Sequence, residues 1–120
     1  MEWELDKNRP ICPQLCEQLC LKIVKNEFRP NEKISSVREV AVSAGVNPNT
    51  VQRSFEELER QGILYSVRGS GWFVKDDVAL AKEVFENILK KKTKEYFSDM
   101  NTLGLSNEEI KEYVKEWRYE

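Results

Sequence analysis

A chain of 120 residues, 40% hydrophobic and 33% charged, is long enough for one compact domain with an appendage and too short for two full-sized domains. Its 19 Lys and Arg against 21 Asp and Glu give a formal net charge of −2, which argues against a surface that coats phosphates, so any nucleic-acid role rests on where the charges lie. The chain has no histidine, which excludes every histidine-dependent catalytic arrangement, and no apolar run nears the roughly 20 residues that span a bilayer.

Residues Met1 to Arg9 are polar and lack the apolar core of a secretory address, so they read as a tail and the expected location is cytoplasmic. From Pro13 to Asn26, Leu15, Leu19, Ile23 and Val24 recur at helical spacing, with Pro13 suited to a first turn. Cys12, Cys16 and Cys20 stand four apart and line one stripe of that helix. A thiol-based metal or redox site is one reading of them. Thiolate zinc sites usually bring four ligands, however, so the cysteines read as small fillers on a buried face, with no cofactor expected.

After the turn Arg29 to Lys33, which carries Pro30 and Asn31, Ser36-Val37-Arg38-Glu39 is a capping box. It starts a short helix through Ala44, which Gly45 stops. Asn47-Pro48 then offers an N-cap followed by proline at the first helical position, opening a third helix that runs to Gln61. Two helices joined so tightly, the second firmly capped, are the local signature of a helix-turn-helix.

The apolar pattern next changes period. Ile63 to Val67 and Trp72 to Lys75 are β-branched or aromatic and bracket Arg68-Gly69-Ser70-Gly71, which predicts a β-hairpin. From Val78 the spacing is helical again, with Ala81, Val84, Phe85, Ile88 and Leu89 leading on to Tyr96, Phe97 and Met100 in a helix of over twenty residues. Leu103-Gly104-Leu105 breaks it, Ser106 and Glu109 form a second capping box, and Ile110, Tyr113, Val114 and Trp117 give the last helix an apolar face. The expected fold is mainly α with a small β-hairpin: a winged helix-turn-helix domain over residues 1–76, followed by a two-helix dimerisation tail over 77–120. So short a tail cannot bury two apolar faces by itself, so a second copy is expected to cover them across a two-fold axis.

Candidate chemistry concentrates at the start of the third helix. Val51, Phe55 and Leu58 must face the core, so Asn49 and Arg53 point outward with Thr50 and Gln52 at their flanks. Beyond Arg53 come Glu56, Glu57 and Glu59, which phosphates repel, so the N-terminal end is the one expected to meet DNA. Free N–H groups and the helix dipole favour phosphate there, and Asn, Gln and Arg read base edges. Arg38, at the start of the second helix, is placed to clamp a phosphate or reach a guanine. Ser36 and Asn47 read first as caps, although a cap can bond phosphate too. The cations Arg38, Arg53, Arg60, Arg68 and Lys75 leave a local positive face on an acidic chain. Lys90, Lys91, Lys92 and Lys94 read as a solvated face of the tail, contact with flanking DNA being the other reading.

The ordered runs Ser35-Ser36-Val37-Arg38-Glu39-Val40-Ala41, Gly45 to Arg53, Leu58-Glu59-Arg60-Gln61-Gly62 and Arg68 to Val74 resemble the GntR family of bacterial regulators, over roughly Pro13 to Lys75. So short a C-terminal region resembles the YtrA subfamily, whose members typically end in two dimerisation helices in place of a ligand-binding domain. The resemblance implies a repressor that binds a palindromic operator in double-stranded DNA as a homodimer. It further implies that Arg38, Asn49, Thr50, Gln52 and Arg53 meet the operator, with Arg68 and Gly69 approaching the minor groove. Two departures stand out: Asn26 and Asn31 where the family usually has glycines before the second helix, and Ile34-Ser35-Ser36 in place of Leu-Pro-Ser. Asparagine tolerates left-handed geometry, so the fold is not threatened.

A winged-helix protein-interaction module without DNA contact is the alternative, since fold does not fix function. The outward polar and cationic set separates the two readings, because a protein-binding module has no reason to keep it. An enzyme reading fails for want of a histidine or a carboxylate pair in a plausible pocket. No small-molecule effector site is legible.

Overall fold

A computed structural model describes residues 3–118; Met1, Glu2, Tyr119 and Glu120, at the edges of the expected spans 1–76 and 77–120, lie outside the described residues. The elements are α1 (Ile11–Val24), α2 (Val37–Ala44), α3 (Pro48–Arg60), β1 (Leu64–Val67), β2 (Gly71–Val74), α4 (Val78–Thr102) and α5 (Asn107–Lys115). They form two compact units, one up to Phe85 and one from Glu86. The fold is that of a winged helix-turn-helix with a C-terminal helical region.

The caps are the ones the residue types dictate. Ser36 Oγ accepts from the Glu39 N–H at 3.1 Å while Glu39 Oε1 accepts from the Ser36 N–H at 3.1 Å, closing the capping box of α2. Ser106 and Glu109 repeat the arrangement at α5. Gly45 ends α2 at φ 67°, a left-handed conformation that costs a side-chain-bearing residue about 1–2 kcal/mol. The N–H of Val46 then bonds back to Ala41 O at 3.0 Å, satisfying a carbonyl that the helix leaves open.

In the first unit one apolar cluster joins Leu15, Leu19 and Ile23 of α1, Val40 and Ala41 of α2, and Val51, Phe55 and Leu58 of α3. Ile63, Leu64 and Val74 of the hairpin region complete it, together with Ala81 from the first turn of α4. Phe55 meets Trp72 of β2 edge to face at 5.6 Å, which seats the hairpin on the helices. The cysteine stripe lies against this core. Cys16 Sγ donates to Ser54 O at 3.5 Å and Cys20 Sγ to Ala81 O at 3.6 Å, while Ser54 Oγ touches Cys12 Sγ at 3.3 Å. Burial pushes the Cys16 thiol up to about 12, helped by the adjacent Cys12, and pushes Cys20 up to about 11. Both thiols are therefore protonated at neutral pH, in keeping with side chains packed against the core.

Three expectations need correcting in detail. Helix α1 begins two residues early, at Ile11, and ends at Val24, because Asn26 takes φ 63° and turns the chain away. The strands run Leu64–Val67 and Gly71–Val74, so Ile63 and Lys75 fall outside the ladder and Gly71 inside it. The segment read as a polar tail is docked: Gln14 and Gln18 of α1 each use a side-chain amide as if it were a neighbouring strand, pairing with the backbone of Asp6 and Glu4.

In the second unit Ile110 of α5 is fully buried, and Asn101 Nδ2 donates to Leu105 O at 2.8 Å across the turn between α4 and α5. Leu89, Tyr96, Leu103, Tyr113, Val114 and Trp117 remain exposed, as do Lys90, Lys91, Lys92 and Lys94. No helix among the described residues is long and apolar enough to cross a membrane.

The capping boxes carry a pH signature. The bond from the Ser36 backbone N–H holds the Glu39 carboxyl below its ordinary 4.5, and Ser106 does the same for Glu109. A carboxyl whose folded value lies below its unfolded one contributes stability that is complete above the unfolded value and is lost as pH falls through the folded one. The double variant Glu39→Gln, Glu109→Gln keeps an acceptor at each box and removes the titration. Its thermal midpoint should fall less steeply than that of the unaltered chain between about pH 5 and about pH 3. Parallel curves would show that the boxes add nothing to acid sensitivity.

Candidate nucleic-acid interface

Asn47 is extended and its Oδ1 accepts from the Asn49 N–H at 2.7 Å, while Pro48 occupies the first helical position with no N–H to leave unsatisfied. These two residues fix where α3 begins and how it turns. Burial then divides the helix by face. Val51, Ser54, Phe55 and Leu58 are buried, Asn49 and Arg53 are exposed, and Thr50 and Gln52 lie half-buried between them. Ser54, a polar residue at a core position, donates its hydroxyl to Thr50 O at 2.8 Å, so it costs the interior no unpaired donor.

Arg38 is exposed in the first turn of α2. Ser36 and Asn47 spend their side-chain oxygens on caps, so any phosphate contact from them uses the remaining lone pairs or the neighbouring N–H groups. The candidate set thus falls on the N-terminal turns of two adjacent helices. Arg68 and Gly69 stand apart from it, exposed in the three-residue loop between Val67 and Gly71.

The acidic half of α3 is largely engaged within the fold. Glu57 pairs with Arg60 and accepts from Gln61 Nε2, and Glu59 accepts from both the N–H and the hydroxyl of Ser66 in β1. Glu59 therefore clamps the hairpin to the C-terminal end of α3. Sequence reasoning saw only three repelling charges here, because a contact seven residues away across a turn follows neither the helical nor the strand period. It also missed the third edge of the wing. Lys33 bridges Phe73, Ile34 N donates to Trp72 O at 3.0 Å and Asn31 N to Val74 O at 2.7 Å, so residues 31–34 pair with β2. The signal was the single buried Ile34 between polar neighbours.

The wing is stiffened from both faces, with Tyr65 stacked on Phe73 at 5.5 Å and donating its hydroxyl to Asn31 Oδ1 at 3.0 Å. Its tip is held by Ser70 N to Val67 O at 2.9 Å, and Gly69 sits at φ 78° with open space where a side chain would project. Among the described residues no three His, Cys, Asp or Glu side chains converge on a metal site.

Residues 13–74 match the bacterial regulatory proteins of the gntR family. The HTH-type transcriptional repressor YtrA of Bacillus subtilis is 32% identical over 108 residues, covering 89% of this chain and 83% of the repressor. A GntR family transcriptional regulator from Listeria monocytogenes superposes with a TM-score of 0.80 at 34% identity, covering 95% of this chain and all of that one. AraR(DBD), solved in complex with operator ORE1, superposes with a TM-score of 0.53 at 30% identity over 62% of this chain and 93% of its own.

Because the space around Gly69 is open, a substitution there is opposed by backbone geometry alone. Gly69→Val should cost about 1–2 kcal/mol in denaturant unfolding, the penalty for a left-handed residue with a β-carbon. An unchanged unfolding midpoint would mean that the loop tip relaxes out of its left-handed turn at no cost.

Proposed function

Because this chain belongs to the gntR family of bacterial regulatory proteins, we propose that it is a cytoplasmic repressor that binds a palindromic operator in double-stranded DNA as a homodimer. It is a transcription regulator and not an enzyme. The observation that carries the proposal is the division of α3: its first turns present Asn49 and Arg53 on the side away from the buried Val51 and Phe55, with Gln52 half-buried at the flank. Asparagine and glutamine bond adenine edges, arginine bonds guanine, and the free N–H groups at a helix start favour phosphate. Arg38 adds a cation from the start of α2, Ser36, Asn47 and Thr50 add hydrogen-bonding groups, and Arg68 with Gly69 brings the wing tip toward a groove.

In this reading residues 1–76 read the operator and residues 77–120 pair two chains, the first turn of α4 also closing the core of the head. The reading of the tail is supported by its unburied apolar surface. Tyr96, Phe97, Tyr113, Val114 and Trp117, with Lys92 and Thr93, line an open groove of about 630 Å³ on a segment of 44 residues, close to the ~40 below which a chain rarely folds unaided. A second copy related by a two-fold axis offers the same surface in return and so covers both. The operator complex of AraR(DBD) supports double-stranded DNA as the other partner.

Arg38→Ala and Arg53→Ala test the assignment on the tightest-binding duplex available. Each should weaken binding by ~1–3 kcal/mol, the range for a good bidentate contact, with the thermal midpoint nearly unchanged. Equal affinity of both variants and the unaltered chain in a gel-shift titration would remove these residues from the interface.

A further inference from the structure

The docked N-terminal segment makes contacts that its own anchoring does not require. Glu4 pairs with the amide of Gln18 and Asp6 with that of Gln14: residues two apart in an extended chain, ~6.8 Å, meet residues four apart on a helix, ~6 Å, so the two spacings nearly coincide. From this anchored stretch two side chains reach across to α2. Trp3 Nε1 donates to Ser43 Oγ at 2.8 Å, its ring lying under Lys22 Nζ at 5.4 Å. Lys7 Nζ donates to Gly45 O at 2.7 Å and to Ala44 O at 3.3 Å. Three consecutive residues, 43, 44 and 45, are thus tied to a segment some forty positions earlier.

These are the residues that end α2 and set the start of α3. The backbone bonds of Gly45 and Val46 return to Val42 O and Ala41 O, which leaves the carbonyls of Ala44 and Gly45 to be satisfied from elsewhere. An ammonium at that place meets both carbonyls and the negative end of the helix dipole. Asn47, the cap of α3, lies only two residues beyond Gly45, so whatever fixes Gly45 fixes the direction in which Asn49 and Arg53 leave the fold.

We infer that the segment 3–9 is a strut that sets the aim of α3, with Lys7 as its positioning residue. This rests on the reading of α3 as the DNA-reading helix, yet Lys7 acts on the turn and not on phosphate. Its ammonium is already engaged by two carbonyls.

Lys7→Met tests it in the full chain. In the free protein, amide exchange at residues 45–49 should accelerate while that of the α1 core is unchanged, and Trp3→Phe, which loses the indole N–H, should give a weaker version of the same. Affinity for a specific duplex should fall roughly two- to thirtyfold, the range for a residue that acts through others, and Lys7→Arg should recover most of it. The slope of log affinity against log salt should not move, whereas a lost phosphate contact lowers it by about 0.9. Unchanged exchange at 45–49 would overturn the strut whatever the DNA measurements give, and a slope lower by about one would make Lys7 a phosphate ligand instead. If the unaltered chain binds no duplex, the DNA-reading assignment fails, and exchange alone decides whether Lys7 holds the turn.

Discussion

Helix α3 has to be buried and available at once, and the rest of the structure follows from how that is arranged. Val51, Phe55 and Leu58 seat it against α1 and the hairpin, each such side chain contributing roughly 1.5–3 kcal/mol by leaving water. Positions 49 and 53 stay exposed on the same helix because 3.6 residues per turn carries them to the opposite side. The burial that stabilises the fold therefore also determines which residues face outward. Asn47 and Pro48 fix where the helix starts, and Gly45 lets the chain turn sharply enough to start it there.

The electrostatics follow from the same arrangement. An acidic chain can present a cationic surface where its carboxylates are directed elsewhere or paired with cations. Glu57 is paired with Arg60, Glu59 holds Ser66, and Glu39 is bound into its own capping box. Three of the four glutamates between Ile34 and Lys75 thus serve as structural acceptors, while Arg38, Arg53 and Arg68 remain exposed. Hydrogen bonds leave those carboxylates charged, so the local positive face rests on where the exposed Arg38, Arg53 and Arg68 lie and not on neutralisation of the glutamates.

The elements with strong local chemistry were legible in the sequence. Both capping boxes, the Asn47-Pro48 start, the Gly45 stop and the inward set of α3 depend on residues within one or two turns of each other, and the structure has them where the residue types require. Non-local pairings were not legible. The docking of residues 4 and 6 on Gln14 and Gln18, the reach of Lys7 to Gly45, the Glu59 clamp and the bridge of Lys33 to Phe73 join positions with no periodic relation. The stretch 3–9 offers only Trp3 and Leu5 as apolar residues, too few to make a periodic pattern, although both pack against the core beside the glutamine amides that hold its backbone. The outward residues of α3 could be picked out as exposed from their spacing, but what they touch is not written in the spacing at all.

The central claim is that two copies present the first turns of α3 to one symmetric site. Selection of bound sequences from a pool of random duplexes tests it most directly. The account predicts a strong enriched motif made of two inverted half-sites centred about one helical turn apart, 10–10.5 base pairs in B-DNA. A pool that shows no enrichment, or one that converges on a single unpaired half-site, would contradict it.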